Sequence, residues 1–405
     1  MKVDIVASIA DIDADAWNRL AGDTFPFLRH EFLHAAEHTG CVSAATGWSP
    51  RHIVISDRRG RLTAAMPLYE KTHSWGEFVF DWSWAEAYHR AGLEYYPKLV
   101  STVPFTPAPS SRLLLADAND GENALRLVDA AVDLARESGC SSLHVLFPAN
   151  QELKILSDAG MKLRKDCQFH WHNRGYRSFD EFLSTFSSEK RKKARRDRRR
   201  VREQGIEFRW LKGGQTNAAI WKDVYEMIST TFLRRGSMPY YDYAFFTTIA
   251  NSLPDNVLVI LAELDRSPVA AAIFYEGAGT LYGRYWGSDS HFDALHFETC
   301  YYQGIDYCIA NGLATFEPGT QGEHKISRGF APVQTWSAHW LARPDFFAAV
   351  GQYLSEERRH VERYMEALSG HSPYRDDTDG DDCRHNIARD GRNDQNPGRN
   401  MQQPK

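Results

Sequence analysis

Residues 317–330 read EPGTQGEHKISRGF, a run in which Gln321, Glu323, His324, Lys325 and Arg328 follow a strand end through a glycine-bearing loop. Backbone N–H donors, a base and two cations are thereby brought together, the combination that anion binding and acyl transfer both require. Attack of an amine on an activated carbonyl needs one group to take the ammonium proton and others to meet the oxyanion. Glu323, His324 and Glu298 are the candidate bases, and Lys325, Arg328 and the loop N–H groups are the candidates for developing charge. Glu298 lies where a helix opens at His296-Phe-Glu298, a place where an acid also simply favours the helix dipole. Arg284, in the strand LYGRYWG, is a candidate substrate contact.

A second feature is electrostatic. Residues 190–202 read KRKKARRDRRRVR, ten bases against one acid, so this segment carries +9 within a chain of net charge −5 and the remainder carries −14. Blocks of like charge are commonly solvated or disordered. Here the block is entered through Phe179, Phe182, Leu183 and Phe186 at helical spacing and left through Gly205, so it reads as a helix with only Ala194 and Val201 on an apolar seam. Such a helix repels itself unless anions face it. Lys190, Arg191, Lys193, Arg195 and Arg196 are the candidate contacts to phosphates of a nucleotide, a coenzyme or RNA.

Residues 78–107 hold Trp82, Glu86, Tyr96 and Lys98 among many aromatics. They read as too polar for a core and too aromatic for a plain loop, which leaves a ligand cleft or a domain interface. His30-Glu31-Phe32-Leu33-His34 matches the H-E-x-x-H zinc pattern, but no third ligand follows at the extended spacing, and an amphipathic helix is the better reading. No metal is expected. There is no G-x-S-x-G elbow, no G-x-G-x-x-G and no P-loop, which removes the nucleophile-elbow hydrolase, kinase, P-loop ATPase and simple dinucleotide-binding readings. The six cysteines lie far apart, without a C-x-x-C pair, and suit reduced, mostly buried thiols.

These groups need elements to hold them. The chain has 405 residues, 42% hydrophobic and 25% charged, more than one ordinary core accommodates. Helical periodicity marks residues 12–20, 30–39, 122–138, 151–159, 218–233 and 296–311. Strand patterns mark 51–56, 62–69, 142–147, 168–172, 206–211, 257–264, 269–275, 281–286, 314–317 and 335–341. Two α/β units with matching grammar follow, residues 1–175 and 176–375, the second opening with the basic helix. Residues 376–405, rich in acids, Gly, Asn and Gln, read as a disordered tail. No run approaches the ~20 apolar residues of a membrane span, and the start lacks a signal-peptide layout, so a cytoplasmic protein without membrane insertion is expected.

The segments FPFLRHEFL, TGWSP, MPLYEKTHSWGEFVFDW, YYPKL, VPFTP, SSLHVLFP, FHWHNRGYRSFDEFL, SSEKRKKARRDRRRV, LYGRYWG, HFETCYYQGIDY and QGEHKISRGF, in this order, resemble the bacterial peptidoglycan biosynthesis/recognition family. That family is a FemAB-like branch of the GNAT acyltransferase superfamily, and the resemblance covers about residues 1–375. It implies an α/β fold of two tandem GNAT-like domains, each a mixed, mostly antiparallel sheet flanked by helices. It also implies transfer of an acyl or aminoacyl group to an amine. In Fem-type peptidyltransferases a basic helix opening the second domain, and a late lysine and arginine before Gly-Phe, are similar in kind to Lys190-Arg191-Lys192-Lys193 and to Lys325-Ile-Ser-Arg328-Gly-Phe330. Those enzymes use aminoacyl-tRNA. Ordinary GNAT enzymes instead cradle the coenzyme A pyrophosphate on [QR]-x-x-G-x-[GA] at a helix start. The near match here, Arg136-Glu-Ser-Gly-Cys-Ser141, falls at a helix end, where the dipole is wrong for an anion.

The expectation is an N-acyltransferase with no tightly bound cofactor, taking acyl-CoA or aminoacyl-tRNA as co-substrate and an amine-bearing small molecule or peptide as acceptor. The alternatives are an aminoacyl-tRNA-dependent ligase acting on a peptidoglycan precursor, and a non-catalytic RNA or precursor-binding protein. Oligomeric state is not legible in the sequence.

Overall fold

The computed structural model describes residues 1–320 and 322–375; Gln321 and the tail expected to be disordered lie outside the described residues. Strands Lys2–Val6, His52–Ser56, Leu62–Met66 and Leu114–Leu115 form a small four-stranded sheet. Eleven strands form the main sheet, in the spatial order Ile206–Lys212, Val257–Leu264, Ser267–Gly277, Thr280–Ser288, Thr315–Glu317, Lys162–His172, Ala331–Leu341, Ser142–Leu146, Lys98–Ser101, Tyr69–Lys71, Trp48–Pro50. Central strands such as Val257–Leu264 read as near-continuous apolar runs because both faces are covered.

The strand and helix order shows an internal repeat in two halves. In the first, Tyr69–Lys71 pairs antiparallel with Lys98–Ser101, helix Gly121–Glu137 crosses over, and Ser142–Leu146 returns parallel to Lys98–Ser101. In the second, Ser267–Gly277 pairs with Thr280–Ser288, a helical stretch from Leu295 to Ala310 crosses over, and Thr315–Glu317 returns parallel to Thr280–Ser288. The remaining ladders are antiparallel, so each half has a mixed, mostly antiparallel sheet flanked by helices.

Each half then ends on a long strand that completes the other half. Lys162–His172 pairs with Thr315–Glu317, while Ala331–Leu341 pairs with Ser142–Leu146. The two long strands also pair with each other, from Ala331 opposite His170 to His339 opposite Lys162. One continuous sheet results. Helix Ala218–Arg234 lies directly on it: a Cβ at Gly287 would sit 2.2 Å from the Ile228 nitrogen, so only glycine allows this approach.

Three helices go beyond the sequence reading: Trp82–Arg90, Tyr243–Ser252 and the 26-residue Pro344–Ser369. The last buries only Val350, Leu354 and Leu368. Its first turns pack Phe346, Val350 and Leu354 against Trp84 and Tyr88, and farther along it is tied down by ion pairs, Arg164 to Glu357 at 2.7 Å and Lys165 to Glu362 at 3.0 Å, so its apolar period is too thin to read.

Candidate active site

The parallel strands Thr280–Ser288 and Thr315–Glu317 pair only from Thr280 opposite Thr315 to Tyr282 opposite Glu317, and then part. A β-bulge lies just beyond. Tyr285 pairs with Ile273 and Gly283 with Phe274, which leaves Arg284 as the extra residue and turns its side chain into the fork. There its guanidinium meets Glu317 Oε1 at 2.8 Å and lies 5.1 Å from the Phe27 ring, almost wholly buried. Between the strands, the crossover helix loosens into a π-helical turn over Glu298–Tyr302, an irregularity that recurs at functional sites. Three adjoining cavities of about 460, 310 and 240 Å³ occupy the fork and its mouth, and Arg235 lines all three.

The predicted loop lies behind the cavities as a 3-10 turn, Glu323–Arg328, anchored to the Gly319 carbonyl through Lys325. Lys325 is buried, and its Nζ donates to the Gly319 carbonyl at 2.7 Å, Gly319 itself lining the cavity. Burial pulls its ammonium down to about 7; Glu317 opposes that shift and Arg284 adds to it. Arg328 is also buried, donating to the His324 carbonyl at 2.6 Å with its guanidinium 3.6 Å from the centre of the Phe297 ring. His324 is exposed, with Nε2 2.9 Å from the Tyr301 hydroxyl, and burial lowers its pKa. Glu323 turns away and accepts from Tyr364 at 2.8 Å.

Glu298 belongs to a different cavity. From the π turn it faces the basic helix, Ser188–Glu203, where Arg198 reaches it at 3.1 Å and Gln303 donates to it at 2.8 Å. Burial raises its pKa while Arg198 opposes the shift. The helix has an inner row, Ala194, Asp197 and Val201, continued by Arg198, which also binds Asp306 at 2.6 Å. Arg195, Arg199 and Arg200 are engaged by Asp180, Glu203 and Asp293, and Arg191 donates to the Phe186 carbonyl. Among the described residues, Lys190, Lys192, Lys193, Arg196 and Arg202 are left outside ion pairs. A groove of about 1140 Å³ runs between this helix and strand Ile206–Lys212, with Trp210 and Glu298 in its wall. Glu298 and Gln303 thus face the groove, while Cys300 and Tyr301 on the same turn face the fork.

The aromatic segment of the first half does not join either cavity through its charged residues. Lys98 is wholly buried, its ammonium bound to Ser74 and Glu77 at 2.8 Å each and to Asp81. Tyr95 donates to Asp81 at 2.7 Å and sits 3.1 Å from His144, which in turn meets His339 at 2.7 Å. Burial would depress Lys98, but Asp81 and Glu77 hold it above the usual lysine range; burial lifts Glu77 to about 7. The segment is polar because it carries a closed ionic cluster. Trp82 and Glu86 point to solvent from helix Trp82–Arg90, and Tyr96 bonds Ser74 at 2.9 Å.

Of the sequence candidates, then, Arg284, Lys325, Arg328 and His324 gather around the fork, Glu298 and the basic residues line or flank the groove, and Glu323, Trp82, Glu86, Tyr96 and Lys98 lie elsewhere. Arg235, which carries no motif of its own, and Glu317, which opens the run EPGTQGEHKISRGF, complete the fork. In the H-E-x-x-H stretch, Glu31 is taken up by Arg29 and Asn18, and His30 Nε2 lies 2.8 Å from the Ile9 carbonyl. Arg136 to Gly139 close helix Gly121–Glu137 at its C-terminal end.

A family model described as peptidoglycan biosynthesis/recognition, FemAB-like, matches residues 8–376. No curated protein matches the chain. Among solved structures, the C-terminal domain of a putative lysylphosphatidylglycerol synthetase from Agrobacterium fabrum superposes with TM-score 0.53 at 11% identity, over 86% of this chain and 97% of that one. FemX superposes with TM-score 0.52 at 12% identity, over 87% and 100%. L-PGS from Bacillus licheniformis superposes with TM-score 0.52 at 10% identity, over 87% and 99%. At such identities the likeness is one of fold. No helix among the described residues is long and apolar enough to cross a membrane.

Proposed function

Because the chain belongs to the FemAB-like family of peptidoglycan biosynthesis and recognition, we propose that it is an N-acyltransferase that moves an acyl or aminoacyl group from an activated donor to an amine at the fork between strands Thr280–Ser288 and Thr315–Glu317. The observation that carries this reading is Lys325, buried beside the parting strands with a pKa near 7. A base poised near the working pH is what deprotonation of an attacking ammonium requires. The other candidates are committed, Glu298 to Arg198, Glu323 to Tyr364 and His324 to Tyr301. The amine attacks the carbonyl carbon, its proton passes to neutral Lys325, and the donor's oxygen or sulfur leaves with the bonding pair. The buried guanidinium of Arg284 meets the charge that develops on the carbonyl oxygen.

An aminoacyl-tRNA donor is the reading favoured by the outer row of the basic helix, since Lys192, Lys193 and Arg196 are exposed and free of ion pairs among the described residues. A peptidoglycan precursor, another peptide or a small amine would be the acceptor, and both donor classes place the reaction in the cytoplasm. The purified full chain, offered radiolabelled acetyl-CoA and charged tRNA separately with such amines, should transfer label from one of them. Lys325→Met should cut that rate by about 10²–10⁴-fold. Absence of transfer from either donor, or full rates in the variant, would overturn the assignment.

A further inference from the structure

The middle cavity of the fork, about 310 Å³, is closed on one side by the first half of the chain. Phe78 and Phe105 enter it from there and Tyr240 from the second half, the Phe105 and Tyr240 rings stacked at 4.9 Å and 11°. Both phenylalanines sit at positive φ, 60° and 54°. A bulky residue in the left-handed region is a costly conformation that persists only where the surroundings impose it, and such outliers cluster at ligand sites. Phe105 is held there by Gly76, where a Cβ would fall 2.4 Å from its ring.

Opposite the aromatic wall stand two guanidinium groups. Arg284 lines the cavity with its Nε buried and without a hydrogen-bond partner among the described residues. Arg235 projects from the end of helix Ala218–Arg234 and pairs with no carboxylate among the described residues, whereas its neighbour Arg234 spends its donors on the Ser288 and Asp289 carbonyls. An unpaired cation, a second buried guanidinium and a pair of stacked aromatic rings around one cavity form a site with a definite complement.

We propose that this cavity binds an aromatic carboxylate, the ring against Phe105 and Tyr240 and the carboxylate on the Arg235 guanidinium, in the positive field of the neighbouring Arg284. Offset or edge contacts between rings favour an aromatic over an aliphatic group, and a charged hydrogen bond to guanidinium distinguishes an acid from its amide. Resting on the transfer reading of the fork, the site names the substrate class: one of the two reactants carries an aromatic side chain next to a free carboxylate.

Binding is measurable without turnover. Calorimetric titration of the full chain with phenylacetate, phenylacetamide and acetate should give the acid at least about tenfold tighter binding than either of the others. Arg235→Gln, an exposed position, should remove the preference for acid over amide, while Lys154→Gln, on the surface of the first half, should leave it intact. Equal binding of acid and amide, equal binding of phenylacetate and acetate, or a preference that survives Arg235→Gln or is lost in Lys154→Gln would each overturn the assignment. Phenylacetate bound as described by a chain that transfers nothing would sink the transferase reading alone. Transfer by a chain without this discrimination would sink the aromatic-carboxylate site alone.

Discussion

Arg284 and Glu317 meet at 2.8 Å across the fork between two parallel strands, Glu317 from the last position within their ladder and Arg284 from the second position beyond it. Burial does most to lower the Lys325 pKa, and the pair tunes it, because Glu317 favours the charged form and Arg284 disfavours it. Glu317→Gln should therefore lower the Lys325 pKa further, and Arg284→Met should raise it. The acid limb of the transfer rate, followed against pH, should move in opposite directions in the two variants. Each should also lose about 3–5 kcal/mol of stability in denaturant titrations, since one buried charge is stranded.

For the unmodified chain, transfer should rise with pH through about 7, as Lys325 loses its proton. Lys325→Arg, which stays charged, should show low rates with no such limb. Stability carries the matching sign. The folded pKa lies below the unfolded value of 10.5, so the contribution of this group is present above 10.5 and is lost as pH falls toward 7. Lys325→Met should gain on the parent over that window, by about 1 kcal/mol or more at neutral pH, in thermal unfolding run at pH 10 and pH 7.

On the basic helix, position decides the outcome. Lys193→Ala and Arg196→Ala, both exposed, should change stability by less than about 0.5 kcal/mol and reduce the salt slope of polyanion binding by about one each. Arg198→Met should instead destabilise by about 3–5 kcal/mol, since Glu298 and Asp306 lose their shared cation. Filter binding at several salt concentrations and denaturant melts separate the two classes.

Lys98→Met should leave Glu77 and Asp81 facing each other in a dry core. Their pKa values should then rise above the unfolded values, so whatever stability remains is present at low pH and lost as pH rises. The deficit against the parent, of order 3–5 kcal/mol, should be larger at pH 8 than at pH 5. Adding Glu77→Gln and Asp81→Asn should recover part of it. A deficit independent of pH would show that packing, not charge, explains the loss.

The sequence made the local elements legible wherever one face is apolar. Strand Val257–Leu264 and the loop holding Lys325 and Arg328 stand where their patterns put them. The fork was half legible: the strand end and the cations were visible, but the bulge at Arg284 and the π turn at Glu298 depend on pairing between distant segments. Residues 78–107 misled because a polar composition looks the same whether water or a buried counter-ion satisfies it; only Lys98, brought beside Glu77 and Asp81, distinguishes the two. Arg235 was silent, the second of two arginines at a helix end, whose meaning comes from three cavities that share it.

The exchange of closing strands has a consequence for synthesis. Ala331–Leu341 lies between Ser142–Leu146 and Lys162–His172, both of which leave the ribosome long before it. Until the last strand emerges, the first half must wait with an open gap in the middle of its sheet, a template for pairing with another chain. The nascent protein therefore depends on shielding of that gap by chaperones or by its own delayed collapse. A chain cut before residue 331 should be found aggregated rather than half folded.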